Sequence, residues 1–227
     1  MKRSELNKII RESLAFVRGR GLEFPPFATW SPDDWRKIGE DERELVDNML
    51  GWDISDFGGN FKKVGLTIFT YRNGNFNNKE KYPKPYAEKL LLVDEGQELP
   101  FHFHWSKMED IINRGGGELV LHVYNSDEHE DFAKTDVVLT LDGKKITVPA
   151  GSAVRLLPGQ SITLLPGQYH NWIAEKGKVM LFEVSTTNDD RVDNRFHSAK
   201  GRIPEIEEDV KPEYLIFNDY KDYVPFK

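Results

Sequence analysis

Four residues of metal-ligating type stand out in a chain that contains only six histidines. His102 and His104 alternate with two phenylalanines in the run FHFH, and Glu109 follows shortly after. Because successive side chains of a β-strand point to opposite faces, both imidazoles are predicted to lie on one face and both phenyl rings on the other. A turn after this strand can bring the Glu109 carboxylate back toward the imidazoles, which gives two nitrogen ligands and one oxygen ligand.

The candidate for a fourth ligand is His170, which follows the turn signal Pro166-Gly167 at the start of another apolar run. Three imidazoles and one carboxylate suit a divalent ion such as manganese, iron, zinc, nickel or cobalt. A His-x-His pair alone is as typical of two hydrogen-bonded histidines in a polar sheet. Adding Glu109 and His170 favours the metal site.

Composition limits the other possibilities. The 227-residue chain carries a formal net charge of -7 and contains no cysteine, which excludes disulfides, thiolate metal sites and a cysteine nucleophile. An acidic protein is a poor match for nucleic acid or an anionic membrane, so a small neutral substrate is expected. No apolar stretch approaches the roughly 18–20 residues that span a bilayer. The basic residues at the N-terminus precede no apolar signal core, and we expect a cytoplasmic protein.

The elements that must position these residues are predicted to be mainly β-strands. Apolar residues at helical spacing predict an amphipathic helix over residues 3–18. From Val64 onward, short runs of β-branched and aromatic residues between turn signals predict a sandwich or a closed barrel. We expect one structural domain with a helical cover over 1–60, a barrel over 61–200 and a C-terminal tail over 201–227.

Local signals refine this picture. Asn73-Gly74 and Asp142-Gly143 predict tight turns between strands, and the glycines of residues 114–117 predict a turn into the next strand. Trp30, Trp35 and Trp52 could form a carbohydrate-stacking surface, but aromatic residues on short helices are more often packing anchors.

Charged residues near the predicted barrel supply candidate acid–base groups. Lys89 shares a strand face with Leu91 and Val93, so it either points into the barrel or extends to solvent at the strand end. We favour the interior. The last section is acidic, and its charges are either solvated loop charge or catalytic groups at the barrel mouth. These acids are Asp189, Asp190, Asp193 and Glu205.

Two motifs resemble those of the cupin family. Gly96, five residues, His102-Phe103-His104, four residues, Glu109, six residues and Gly116 match the first cupin motif. The run Pro166-Gly167-Gln168-Tyr169-His170 is similar to the second, with Pro and Gly adjacent where the family usually separates them. The resemblance covers roughly residues 64–187 and implies a double-stranded β-helix, or jelly-roll, barrel that pairs as a homodimer.

Longer runs resemble the bacterial D-lyxose ketol-isomerases, a cupin family that acts on D-lyxose/D-xylulose and D-mannose/D-fructose with manganese. They are HFHWSKMEDIINRGGGELVLHVYNS and EVSTTNDDRVDNRF. The resemblance implies Mn2+ as the cofactor. It makes His102, His104, Glu109 and His170 the metal ligands. Lys89 would neutralise charge on a substrate oxygen, and Glu205, with Asp190 as a competing candidate, would shuttle the proton. Lys107 is expected to bind substrate together with Lys89 and Asp190.

Aldose–ketose interconversion through an enediol needs an electrophile on two adjacent oxygens and a base near the carbon-bound proton, and this set of residues offers both. Two other functions stay open. The same four ligands could hold iron for a dioxygenase, or the barrel could bind sugar without catalysis. A sugar phosphate would call for a basic cluster at the mouth, whereas Arg191, Arg195 and Arg202 are scattered among acids, so a free sugar is preferred.

Overall fold

Antiparallel β-strands dominate the computed structural model, which describes residues 1–198 and 201–226. This confirms the mainly β fold. Within these residues the strands are β1 (Gly51–Ser55), β2 (Leu66–Arg72), β3 (Tyr86–Val93), β4 (Glu98–Phe103), β5 (Glu109–Asn125), β6 (Val137–Leu141), β7 (Lys144–Val148), β8 (Ala153–Leu156), β9 (Ser161–Leu164), β10 (Gln168–Thr186) and β11 (Arg195–Phe196).

Helices are few and lie mainly before the sheet. They are α1 (Arg3–Arg18), α2 (Pro32–Trp35), α3 (Arg43–Asp47) and α4 (Tyr220–Tyr223), with single 3-10 turns at Pro26–Thr29, Glu40–Glu42 and Phe217–Asp219. The predicted amphipathic helix over residues 3–18 is confirmed by α1. No helix in the described part of the chain combines the length and the apolar character that crossing a bilayer requires.

Two long strands, β5 and β10, hold the sheet together. They pair with each other along most of their length, and β10 also pairs with β3 and β4 while β5 pairs with β8 and β9. The β5–β10 pairing shifts register after Glu175 and again after Met180. Such irregularities bend and twist the strands, so the sheet rolls into a barrel. Its order is β1-β2-β3-β10-β5-β9-β6-β7.

Arg114 and the glycine run at 115–117 lie inside β5, so the predicted turn is wrong. Gly116 has φ +95°, and a Cβ there would lie 2.0 Å from the carbonyl oxygen of Lys178. Gly116 and Gly117 are therefore needed, because β10 approaches their backbone closely where the strand bends. Asn73-Gly74 also forms no tight hairpin, since β2 ends at Arg72 and β3 begins only at Tyr86. Asp142-Gly143 does join β6 to β7 as predicted, with φ of +46° and +80°.

The barrel interior is apolar except at the site described below. Its buried core includes Leu91, Val93, Ile111 and Leu181. Lys89 is 3% exposed and lies in β3 at the same alternation as Leu91 and Val93. Its predicted inward orientation is confirmed because Lys89 lines the cavity inside the barrel.

A second core lies between α1 and the outer face of the sheet. Leu6 and Ile10 of α1 pack with Phe69, Leu90 and Met180. The tryptophans of the cover are packing anchors as predicted. Trp35 and Trp52 are 1% and 2% exposed, and Trp30 contacts Trp35 edge to face at 5.3 Å. β1 already belongs to the sheet, although it precedes residue 61, where the barrel was predicted to begin. The predicted end of the barrel, residue 200, lies outside the described residues.

Arg3 ties the C-terminal segment to α1. Its guanidinium donates to both carboxylate oxygens of Asp219 at 2.9 Å and to Glu208 at 2.6 Å. The Arg3 side chain is 2% exposed and Asp219 12%, whereas Glu208 is 55% exposed. Since a buried charge without a partner is costly, this contact must stay formed for the two ends to pack together.

We predict that Arg3→Ala destabilises the protein by about 3 kcal/mol, because it leaves the Asp219 carboxylate buried without its cation. Arg11→Ala is the matched control: Arg11 pairs with Glu213 on the same two segments, but both side chains are 48% exposed. Urea unfolding followed by circular dichroism measures both changes. Equal unfolding free energies for the two variants would contradict the assignment.

Candidate active site and metal centre

Three strands bring the predicted metal ligands together. His102 lies in β4 with His104 one residue after its end, Glu109 opens β5, and His170 lies near the start of β10, opposite His102 in register. One ring nitrogen from each histidine lies within 4.8 Å of the others, and all three side chains are buried. The prediction that side chains from two distant parts of the chain meet at one point is confirmed for the three histidines.

Glu109 completes the group. Its Oε1 lies 3.3 Å from His104 Nε2 and 3.2 Å from His170 Nε2. All three atoms are buried and lack a hydrogen-bond partner. Buried polar atoms without partners are rare because each costs free energy, so three that face one another indicate a missing binding partner. A divalent cation fits this donor set of imidazole nitrogen and carboxylate oxygen.

The opposite ring nitrogens fix the orientation of the imidazoles. The Nδ1 atoms of His102, His104 and His170 donate to the carbonyl oxygens of Pro100 (3.0 Å), Asp193 (2.8 Å) and Gln168 (3.0 Å). A carbonyl can only accept, so Nδ1 carries a proton in each ring and the tautomer with a free Nε2 lone pair is the one that can bind a metal. Burial, with the nearby histidines, lowers the pKa of His102 well below its ordinary value and keeps this ring neutral.

A row of alternating charges extends from Glu109 across the cavity, and we call it the charge row. Lys107 Nζ lies 2.6 Å from Glu109 Oε2 and 3.1 Å from Glu183 Oε1. Lys89 Nζ lies 3.3 Å from the same Glu183 oxygen and 2.7 Å from Asp190 Oδ2. The side chains of Lys89, Lys107, Glu109 and Glu183 are 2–6% exposed. Five charges therefore share one water-poor space.

Pairing keeps Glu109, Asp190 and Lys107 ionised. Burial alone raises the pKa of Glu109, but the charge of Lys107 and the contact with His104 hold it well below its usual value. Asp190 behaves alike: burial raises its pKa, while Lys89 and Lys107 lower it to a net value well below normal. Burial lowers the pKa of Lys107, and the charges of Glu109, Glu183 and Asp190 raise it above its usual value.

Three of the candidate metal ligands, His102, His104 and Glu109, line one cavity together with the charge row, and its volume is about 410 Å³ with the open mouth included. One wall is apolar, with Phe57, Leu66 and Leu99, and Phe196 stacks on His102 with ring centroids 5.2 Å apart. Polar and charged groups thus share the cavity with an apolar wall.

Comparison with known proteins assigns the family. A family model described as D-lyxose isomerase matches residues 1–220. The D-lyxose/D-mannose isomerase of Serratia proteamaculans is 44% identical over 228 residues, which cover 99% of this chain and 100% of that protein. The protein of the same name from Escherichia coli O157:H7 is 42% identical over 98% of this chain and 100% of its own length. The chain belongs to the D-lyxose isomerase family. It is therefore an enzyme, a sugar isomerase.

Solved structures agree on the fold. The L-ribose isomerase of Cellulomonas parahominis superposes with a TM-score of 0.58 at 16% identity, covering 91% of this chain and 98% of that one. The L-ribose isomerase of Geodermatophilus obscurus gives a TM-score of 0.57 at 18% identity, covering 88% and 93%. The predicted cupin-type barrel with an N-terminal helical cover is thereby confirmed for this member of the D-lyxose isomerase family.

Of the eight predicted site residues, six line the cavity: Lys89, His102, His104, Lys107, Glu109 and Asp190. His170 lies beside them, with its Nε2 3.2 Å from Glu109 Oε1, but Glu205 lies elsewhere. That residue is exposed, and its backbone oxygen accepts a hydrogen bond from the N-terminal amine at 2.8 Å. Glu183 stands in the charge row instead. The sequence carried a signal for Glu183. It lies two residues after the buried Leu181 on β10, so both side chains point to the same face of the strand, as those of Lys89 and Leu91 do on β3.

We predict that His104→Ala weakens Mn2+ binding by more than the roughly 10–100-fold typical of a lost outer-shell contact, because it removes a direct ligand. Isothermal titration of the metal-free protein with Mn2+ measures the affinity. His122→Ala is the matched control, since His122 lies on β5 and bonds Asn171 rather than the metal group. Wild-type affinity in His104→Ala, or an equal loss in both variants, would contradict the ligand assignment.

Proposed function

We propose that the protein interconverts D-lyxose with D-xylulose and D-mannose with D-fructose, through an enediol, with Mn2+ as its metal. The observation that carries this proposal is the charge row, which shares one cavity with His102, His104 and Glu109, while His170 lies 3.2 Å from Glu109. The names of the two relatives, D-lyxose/D-mannose isomerases over nearly the whole chain, support the choice of sugars.

The reaction moves one carbon-bound proton. In the aldose the carbonyl is at C1 and in the ketose at C2, so a base removes the proton from C2 and returns a proton to C1 while a hydroxyl proton passes from O2 to O1. A divalent cation held by His102, His104, Glu109 and His170 would supply the electrophile that polarises the sugar carbonyl. The protein must supply the base and stabilise the negative charge that develops on the oxygens.

The charge row is suited to stabilising this negative charge. Its two lysines and three carboxylates carry one net negative charge, which a bound divalent cation reverses to one net positive charge. The site then favours an enediolate over a neutral sugar, which is the difference that accelerates a reaction. Lys107 and Lys89 are the ammonium groups placed to hold the sugar oxygens, and the low-dielectric walls strengthen their effect.

Glu183 is the carboxylate best suited to be the base. Both of its lysine contacts fall on Oε1. Asp190 has both oxygens engaged, Oδ2 by Lys89 at 2.7 Å and Oδ1 by the Asn188 amide at 2.5 Å, and its pKa lies well below normal. A carboxylate whose charge is held so strongly is a weak base. We therefore assign the proton transfer to Glu183 and substrate binding to Asp190.

A free sugar fits the cavity better than a sugar phosphate. Each cation lining the described part of the cavity already has a carboxylate partner: Lys107 has Glu109, Lys89 has Asp190 and Arg202 has Asp53. A phosphate group would need cations that are free to bind it.

We predict that Glu183→Gln lowers kcat at least about 100-fold with D-lyxose and D-mannose, because the amide cannot accept the C2 proton. Mn2+ affinity should stay near that of the wild type, since Glu183 is not a ligand. Glu205→Gln, made in parallel, should retain turnover because Glu205 is exposed. Proton nuclear magnetic resonance in D2O follows both the conversion and deuterium exchange at C2.

The variants Glu183→Gln and Glu205→Gln distinguish the two candidates for the catalytic base. Loss of turnover in Glu205→Gln but not in Glu183→Gln would return the base to Glu205. A manganese-loaded wild type that converts none of the four sugars would refute the proposed function itself.

A further inference from the structure

After β10, residues 189–198 run along the cavity, and we call this segment the strap. Asp190, Asn194 and Phe196 of the strap line the cavity. Its short strand β11 pairs with β4, where Phe196 lies opposite the metal ligand His102. The strap therefore packs directly on the segment that carries the ligands.

Asp193 makes the most direct contacts between the strap and the metal ligands. Its carboxylate accepts hydrogen bonds from the backbone N–H groups of Ser106 and Lys107, both at 2.9 Å. Its backbone carbonyl accepts from His104 Nδ1 at 2.8 Å. Asp193 is 5% exposed, so water competes little for these bonds. One residue thus holds both a metal ligand and the turn that follows it.

We propose that Asp193 is a positioning residue that sets metal affinity and the placement of the Lys107 ammonium. The turn it binds separates His104 from Glu109, so its geometry decides whether these two ligands meet at one point. Lys107 lies inside this turn, and its Nζ spans Glu109 Oε2 and Glu183 Oε1 at 2.6 and 3.1 Å. A carboxylate that accepts two charge-assisted hydrogen bonds fixes such a turn more firmly than a neutral acceptor does.

Asp189 provides a matched comparison within the strap. It is 6% exposed, close to the value for Asp193. Its carboxylate, however, bonds only the nearby Arg191, through the backbone N–H at 3.0 Å and the guanidinium at 2.6 and 2.8 Å. Replacing Asp189 therefore removes a buried acidic side chain from the same segment without touching the ligand-bearing turn.

The first test measures Mn2+ affinity of the full-length protein by isothermal titration, without sugar. Asp193→Ala should raise the Kd for Mn2+ by about 10–100-fold, the usual effect of losing an outer-shell contact. Asp193→Asn keeps one acceptor and should show a smaller rise, which also guards against misfolding of the alanine variant. Asp189→Asn should stay within about twofold of the wild type. Wild-type affinity in folded Asp193→Ala and Asp193→Asn would overturn the proposal.

The second test concerns Lys107 and rests on the proposed function. At saturating Mn2+, kcat/KM for D-lyxose in Asp193→Ala should stay at least about tenfold below the wild type, because the ammonium is displaced even when the metal is bound. Full recovery of kcat/KM at saturating Mn2+ would overturn the placement of Lys107 by Asp193. Because the first test uses Mn2+ alone, it keeps its meaning even if the wild type turns over none of the proposed sugars.

Discussion

The buried charge row is the interaction on which the rest of the site depends. Removing charges from water into an apolar barrel is costly unless every charge has partners, and taking one member from a buried pair typically costs about 3–5 kcal/mol. Each interior member of the row touches two neighbours: Lys107 holds Glu109 and Glu183, while Lys89 holds Glu183 and Asp190. The five residues therefore behave as one unit, and a change at either end alters the field at the other.

The barrel supplies this arrangement through strand register. Lys89 of β3 lies directly opposite Glu183 of β10, and Ser185 of β10 lies opposite Glu109 of β5. β10 thus positions both Lys89 and Glu109 relative to Glu183, since it pairs with β3 and β5 over the same stretch. A one-residue slip on either side would turn a charged side chain out of the cavity and an apolar one into it. The apolar core around the strands holds the register, so packing far from the metal fixes the electrostatics beside it.

Local periodicity accounts for what could be predicted from the sequence. Alternation placed His102 and His104 on one face and Lys89 toward the interior, and helical spacing located α1. Contacts between distant segments could not be predicted from local periodicity. The glycines at 114–117 resemble a turn until β10 is seen to cross them closely, and Glu205 resembles a site acid until the N-terminus is seen to bind its backbone. Alternation with Leu181 could have placed Glu183 inside the barrel, but not opposite Lys89, because strand register is set by pairing rather than by either strand alone.

Environment, rather than residue type, separates the roles of the two acids beside Lys89. Asp190 lies in the strap, where Asn188 and Lys89 occupy both its oxygens, whereas the lysine contacts of Glu183 both fall on one oxygen. Two carboxylates near the same ammonium can in this way serve different tasks, one to orient and the other to carry a proton. Lys107 joins the proposed base, Glu183, to the candidate metal ligand Glu109 through a single ammonium. The positions of these two carboxylates are consequently coupled, so the turn that carries Lys107 must be held as firmly as the ligands themselves.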